Sequence, residues 1–208
     1  MIFLFVKFIK HLIHYLKILK NLNNLKIKDF INSNGRGLLL GKVIDVLKAM
    51  GADIKLLNPR AIGGEPVADI QVTYVGLKGA DIDPKLVPLA IDEFPVICIA
   101  AACAEGVTTV SGAEELRHKE SDRISAMVEG LRAIGVDVEE RKDGMVVTGG
   151  PITGGQIESH HDHRIAMSFA IAGGVSEAPI IINDADNVAT SFPNFVDLAT
   201  QAGLNVSE

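Results

Sequence analysis

Three segments of the chain share one pattern of apolar and polar positions: 44–54 (IDVLKAMGADI), 128–138 (VEGLRAIGVDV) and 195–206 (FVDLATQAGLNV). Apolar residues three and four apart predict a helix in each. Gly51, Gly135 and Gly203 then stand where a helix C-terminus takes a residue of positive φ. The residues after each glycine alternate apolar and polar, which predicts a short half-buried strand following each helix. A second pattern occurs twice. Asp92 to Gly106 and Asp162 to Gly174 each begin with an acid, continue as an apolar helix and end near glycine, and strands are predicted after them at 107–110 and 179–182. Helices apolar nearly all round belong at the centre of a fold. Gly76-Leu77-Lys78-Gly79 and Asp143-Gly144 predict hairpin turns between short strands. The sum is a tandem array of strand and helix units, an α/β layered domain with repeated supersecondary units.

The head of the chain reads differently. Lys7, Lys10, His11, His14 and Lys17 recur at spacings of three and four with Ile, Leu, Phe and Val between them, which predicts a basic amphipathic helix over the first twenty-five residues. Its charges interrupt the apolar run well short of the ~20 residues that cross a bilayer, so a membrane span is not expected. It also lacks the small-residue cleavage site of a secretory signal. A helix lying on a membrane surface, a helix docked on a partner, and a segment without a role all fit the pattern.

Composition then narrows the class. With 208 residues, 48% of them hydrophobic and 22% charged, the chain can build one sizeable core. Residues 1–35 hold six lysines and one acid, a net +5, which leaves 14 basic and 25 acidic residues, a net −11, for the remainder. A body this acidic excludes a nucleic-acid surface, which needs a basic face. The only cysteines, Cys98 and Cys103, form neither a C-x-x-C motif nor a disulfide framework and read as buried thiols in a reducing compartment.

Four clusters could carry chemistry. Arg117-His118-Lys119-Glu120-Ser121-Asp122-Arg123 lies between a predicted strand and helix. It reads either as a solvated helix entrance, capped by Ser121 or Asp122 with Arg123 as a surface charge, or as a set of cations and a carboxylate offered to an anion at a helix N-terminus. Ser159-His160-His161-Asp162-His163-Arg164 stands in the matching place before the other apolar helix. Its histidines allow a metal site, while Arg164 suits a carboxylate or phosphate better. Asp92 in Ile91-Asp92-Glu93-Phe94-Pro95 can be a helix N-cap or an exposed proton acceptor. Ala189-Thr190-Ser191-Phe192-Pro193 reads as a loop in which Ser191 caps the last helix.

Taken in order, these segments resemble the 5-enolpyruvylshikimate-3-phosphate synthase family. The matching stretches are Gly51 to Ile54, Gly63 to Asp69, Ile91 to Pro95, Glu114 to Arg123, Asp162 to Met167 and Ala189 to Pro193, and the match runs from Gly37 to Leu204. The resemblance implies an inside-out α/β barrel domain of repeated βαβαββ units, one of two domains in whole members. It implies that phosphoenolpyruvate gives its carboxyvinyl group to shikimate 3-phosphate with release of phosphate. That is a cytoplasmic step toward chorismate and the aromatic amino acids, and it uses no metal or cofactor. Asp92 matches the proton acceptor at the attacking hydroxyl, and Glu120 the carboxyl that moves a proton at the methylene carbon. Lys119 and Glu115 match shikimate 3-phosphate contacts, Glu115 standing where other members have asparagine. Arg123, Arg164 and the neighbouring His163 match the phosphoenolpyruvate grip, with Thr190 where some members have a further lysine.

Residues 36–50 then read as the last helix of the other domain, with its apolar face short of partners, and 51–208 as the C-terminal domain. The Lys-Ser loop and phosphate-holding serines of that other domain are not found before Gly37. A separately supplied N-terminal half would complete such an enzyme, and a non-catalytic remnant is the alternative. A related transferase acting on UDP-N-acetylglucosamine fits the Lys119 to Arg123 and Asp162 to Arg164 segments less well, and a hydrolase built on His160, His161 and His163 would need a metal.

Overall fold

The structure is a computed structural model and describes residues 25–31, 38–62, 65–73, 75–201 and 203–207. The helix expected in the head lies outside these residues up to position 24. From Leu25 the chain forms a strand, β1 (Leu25–Ile31), not a continuation of that helix. Its Leu-Lys-Ile-Lys alternation has the strand period of two, and its partner is supplied from far along the chain.

Helix α1 (Leu38–Ala49) presents Val43, Ile44, Val46 and Leu47 to the core, with Asp45 and Lys48 in solvent. Strands β2 (Asp53–Ile62) and β3 (Glu65–Thr73) come next, and the antiparallel order is β1-β3-β2. The apolar face of α1, expected to lack partners, shares one buried cluster with Ile54, Ile70, Val72 and Ile91. The boundary expected between residues 50 and 51 therefore runs through a β-α-β-β unit.

The rest of the described chain sets two further sheets against buried helices. Helix α2 (Phe94–Ala102) is buried at all nine positions. Strand β4 (Val107–Val110) leads to α3 (Arg123–Ala133), and β5 (Asp137–Arg141) and β6 (Gly144–Thr148) form the hairpin predicted at Asp143-Gly144. Their antiparallel order is β4-β6-β5. Strand β7 (Gly155–Glu158) precedes α4 (His163–Gly173) and pairs in parallel with β8 (Ile180–Asn183), and α5 (Asn187–Ser191) and α6 (Phe195–Gln201) complete the order. Helices inside and strands outside make this an inside-out α/β fold.

The glycine stops recur at the level of single hydrogen bonds. Gly51 donates to Lys48 O and Ala52 to Leu47 O, Gly135 to Arg132 O and Val136 to Leu131 O, and Gly203 to Thr200 O and Leu204 to Ala199 O. All three glycines have φ between 86° and 89°, the left-handed closure of a helix end. Strands follow the first two. After the third, Leu204 is buried and Asn205 exposed as predicted, but no described strand pairs with them. The hairpin predicted at Gly76 to Gly79 is also absent. That segment runs alongside β4 instead, with parallel bridges Lys78 to Glu105 and Asp81 to Thr109.

Helices α2, α3 and α4 run side by side in one direction. Their starts meet at one site, and residues 150–153 tie their ends. Gly150 N donates to Ala102 O at the end of α2, Thr153 N donates to Ile134 O at the end of α3, and Ile152 O accepts from Glu177 N just beyond α4.

Candidate anion-binding site

The starts of α3 and α4 each contribute an acid and a cation, and the start of α2 contributes two acids. Asp122 is the N-cap of α3, its carboxylate accepting from Ser125 N, and Asp162 is the N-cap of α4, accepting from Arg164 N at 2.9 Å. Asp92 is not the cap of α2. Pro95 fixes the helix start further on, so Asp92 sits within a 3-10 turn (Ile91–Glu93) and the cap position falls to Glu93, whose side chain makes no capping bond. Arg117 braces the entrance of α3 by donating to Asp122 Oδ2 at 2.8 Å and to the Lys142 and Arg141 carbonyls at 2.6 Å.

Arg123 is the hub. Far from being a surface charge, it is 1% exposed. Its Nε donates to Asp162 Oδ2 at 2.7 Å, Nη2 to Asp162 Oδ1 at 3.3 Å and to Glu120 Oε2 at 2.5 Å, and Nη1 to Asp92 Oδ1 at 3.4 Å. Ser121 Oγ also donates to Asp162, at 3.1 Å. Burial alone would raise the pKa of Asp162, but Arg123, the Arg164 amide and Ser121 outweigh it and hold the carboxyl below its usual range.

Lys119, at the end of a second 3-10 turn (Glu114–His118), bonds Glu115 Oε1 at 2.7 Å and reaches Asp92 Oδ1 at 3.4 Å. The Glu115 bond is the main reason its pKa is raised. Arg164 Nη1 donates both to the Asp92 carbonyl and to Glu93 Oε1, each at 2.8 Å. His163 is half-buried, and burial, reinforced by Arg164 and Arg123, lowers its pKa against the pull of Asp162. Asp92, Glu115, Lys119, Glu120, Arg123 and Arg164 thus form one network with His163 at its margin.

Thr190 stays apart. It is exposed on α5, which packs on α4, and no side-chain hydrogen bond joins it to the network. The Ala189 to Pro193 stretch is partly helical, and Ser191 ends α5 instead of capping the next helix. His160 and His161 both have positive φ and diverge, His160 Nε2 meeting Glu129 at 3.2 Å and His161 Nε2 lying 4.0 Å from Asp184. Among the described residues no three His, Cys, Asp or Glu side chains are grouped to hold a metal ion.

Two site residues escaped the sequence reading. Asp162 was read as the acid that begins an apolar helix and as a member of the histidine cluster, not as a partner of Arg123, although its place before α4 mirrors that of Asp122 before α3. Glu93 carried a fainter sign, an acid directly before the apolar run Phe94 to Ala102, where burial demands a partner.

This is an α/β protein that gathers cations and carboxylates in one hydrogen-bonded network at converging helix starts, where forked guanidinium groups and helix N-termini can hold a small anion. The chain belongs to the EPSP synthase (3-phosphoshikimate 1-carboxyvinyltransferase) family, whose model it matches over residues 20–198. It is 58% identical over 166 residues to the 3-phosphoshikimate 1-carboxyvinyltransferase of Legionella pneumophila (strain Lens), covering 80% of this chain and 38% of that protein. The enzyme of the same name from Methylococcus capsulatus is 57% identical over 164 residues, covering 79% of this chain and 38% of its own length. The solved EPSP synthase of Acinetobacter baumannii superposes with a TM-score of 0.83 at 44% identity, covering 95% of this chain and 46% of that one. The chain therefore spans 38% of the length of the two curated relatives and 46% of the solved one.

Proposed function

We propose that this chain takes part in transferring the carboxyvinyl group of phosphoenolpyruvate to the 5-hydroxyl of shikimate 3-phosphate, with release of phosphate, a cytoplasmic step toward chorismate and the aromatic amino acids. The observation that carries the reading is the pairing of Arg123 and Arg164 at adjacent helix starts with Asp92 and Glu120 bonded to the first of them or close by. Phosphoenolpyruvate carries a carboxylate and a phosphate, and two forked cations held by the fold match both. His163 adds a neutral donor beside them, and Lys119 with Glu115 meets shikimate 3-phosphate.

The reaction needs two proton movements in each direction. Asp92 accepts the hydroxyl proton as the oxygen bonds to C2 of phosphoenolpyruvate, while Glu120 delivers a proton to the methylene carbon. In the elimination, Glu120 takes a proton back from the new methyl group as the C2 to phosphate oxygen bond breaks, and Asp92 returns its proton to the departing phosphate. Shikimate 3-phosphate also needs partners beyond this network, and a separately supplied N-terminal half of a family member would provide them.

Phosphate release from the two substrates, measured with this chain alone and mixed with such a half, tests the reading. Release that appears in the mixture and disappears with Arg164→Ala is the expected result. No release from either sample of folded protein would overturn it in favour of a non-catalytic chain.

A further inference from the structure

Glu93 is 5% exposed, and among the described residues the only hydrogen bond of its side chain is the one from Arg164 to Oε1, while Oε2 is buried without a partner. A half-satisfied buried acid is a poor stabilising device, since an apolar side chain of similar size would serve a core as well or better. Burial raises its pKa in spite of the opposing pull of Arg164, a further sign that the carboxylate is held there at some expense. Its geometry explains what the acid does. The two hydrogens of Arg164 Nη1 are both used, one on Glu93 Oε1 and one on the Asp92 carbonyl, each at 2.8 Å. An amino group held at both hydrogens fixes the plane of the whole guanidinium. Arg123 has an equivalent brace in Asp162, which takes its Nε and Nη2. Each arginine of the site therefore has its own buried carboxylate.

We propose that Glu93 is a positioning residue, which clamps Arg164 so that its guanidinium meets the anionic substrate in one fixed orientation. This rests on the reading that Arg164 grips phosphoenolpyruvate. The clamp acts through hydrogen-bond acceptance, so the acceptor matters more than the charge. Glu93→Gln keeps an acceptor oxygen and Glu93→Met removes it at similar volume.

Two measurements on the full chain, labelled with 13C and 15N at arginine, test the proposal. The first is the NMR exchange rate of the Arg164 guanidinium protons, identified by their loss in Arg164→Ala. Rotation is expected to be slow in the unsubstituted chain and in Glu93→Gln, and fast in Glu93→Met. The second is phosphoenolpyruvate affinity in the presence of shikimate 3-phosphate. Glu93→Met is expected to weaken it by about tenfold or more, the scale of a misplaced binding group, and Glu93→Gln to recover most of that loss. In an Arg164→Ala background Glu93→Met should have no further effect.

Unchanged rotation in Glu93→Met overturns the clamp. So does equal or tighter substrate binding by both variants, which would mark Glu93 as a charge alone, and so does an equal loss with and without Arg164, which would mark it as a general part of the core. Slow rotation freed by Glu93→Met in a chain that binds no phosphoenolpyruvate supports the clamp and overturns the substrate reading.

Discussion

Asp162 accepts four hydrogen bonds with one carboxylate, from Arg123 twice, from Ser121 and from the Arg164 amide. It is at once a helix cap and the main counter-charge of an arginine that water does not reach. Asp162→Asn removes the buried carboxylate charge that faces Arg123 and leaves it only the more exposed Glu120 and Asp92, and breaking a buried ion pair costs about 3 kcal/mol or more. Urea unfolding followed by circular dichroism should show a loss of that size, and a loss below about 1 kcal/mol would mean that Glu120 and Asp92 suffice as partners. The residue scale was also where sequence reached least far. Spacing put Arg123 at a helix entrance, but its burial is decided by Asp162, which lies 39 positions away. The same holds for Glu93 and Arg164, separated by 71 positions. Local pattern has no access to such pairs. The family resemblance singled out Arg123 and Arg164, and neither it nor local pattern paired them with the buried acids Asp162 and Glu93 that hold them.

Helix contacts are equally demanding. Gly130 in α3 faces Phe169 of α4, a ring buried to 0% exposure, and a Cβ at Gly130 would collide with that ring. Alanine is the better helix former by about 1 kcal/mol, yet overpacking costs about 1–3 kcal/mol. Gly130→Ala should therefore destabilise the fold, read as a lower urea midpoint with unchanged slope, while a gain in stability would show that α3 and α4 can part without cost. Elements were more legible than contacts. All three helix stops were readable because a glycine of positive φ is a local requirement. The strand expected after Gly203 and the hairpin expected at Gly76 were not, because both depend on pairing. Leu204 to Val206 has the right alternation and no described partner strand, and Lys78 finds its partner in Glu105. A period of two states only that a segment can pair, and tertiary packing decides whether it does.

For the molecule as a whole, the two buried acids predict opposing pH trends. The pKa of Asp162 is lowered in the folded state, so its contribution to stability is present above its unfolded pKa and is lost as pH falls through the folded value. The pKa of Glu93 is raised, so its contribution is full below its unfolded pKa and is lost as pH rises through the folded value. Urea unfolding across pH should accordingly show that Glu93→Gln gains stability relative to the unsubstituted chain as pH rises from about 4 toward 7. A difference that stays flat would mean that Glu93 titrates as an ordinary surface acid. At this scale sequence was most informative. The repeated units, the central apolar helices and the family were all readable from 37–204, whereas the inclusion of β1 and α1 in one unit with β2 and β3 required coordinates. The common direction of α2, α3 and α4 has a consequence of its own. Each aligned helix carries roughly half a positive charge at its start and half a negative charge at its end. Three such helices gathered at one end and tied by residues 150–153 at the other give the protein a permanent axis. The positive ends of the three dipoles fall where Asp92, Glu93, Glu115, Glu120 and Asp162 outnumber Lys119, Arg123 and Arg164, so the backbone itself offsets part of the negative charge that the side chains bring to that end.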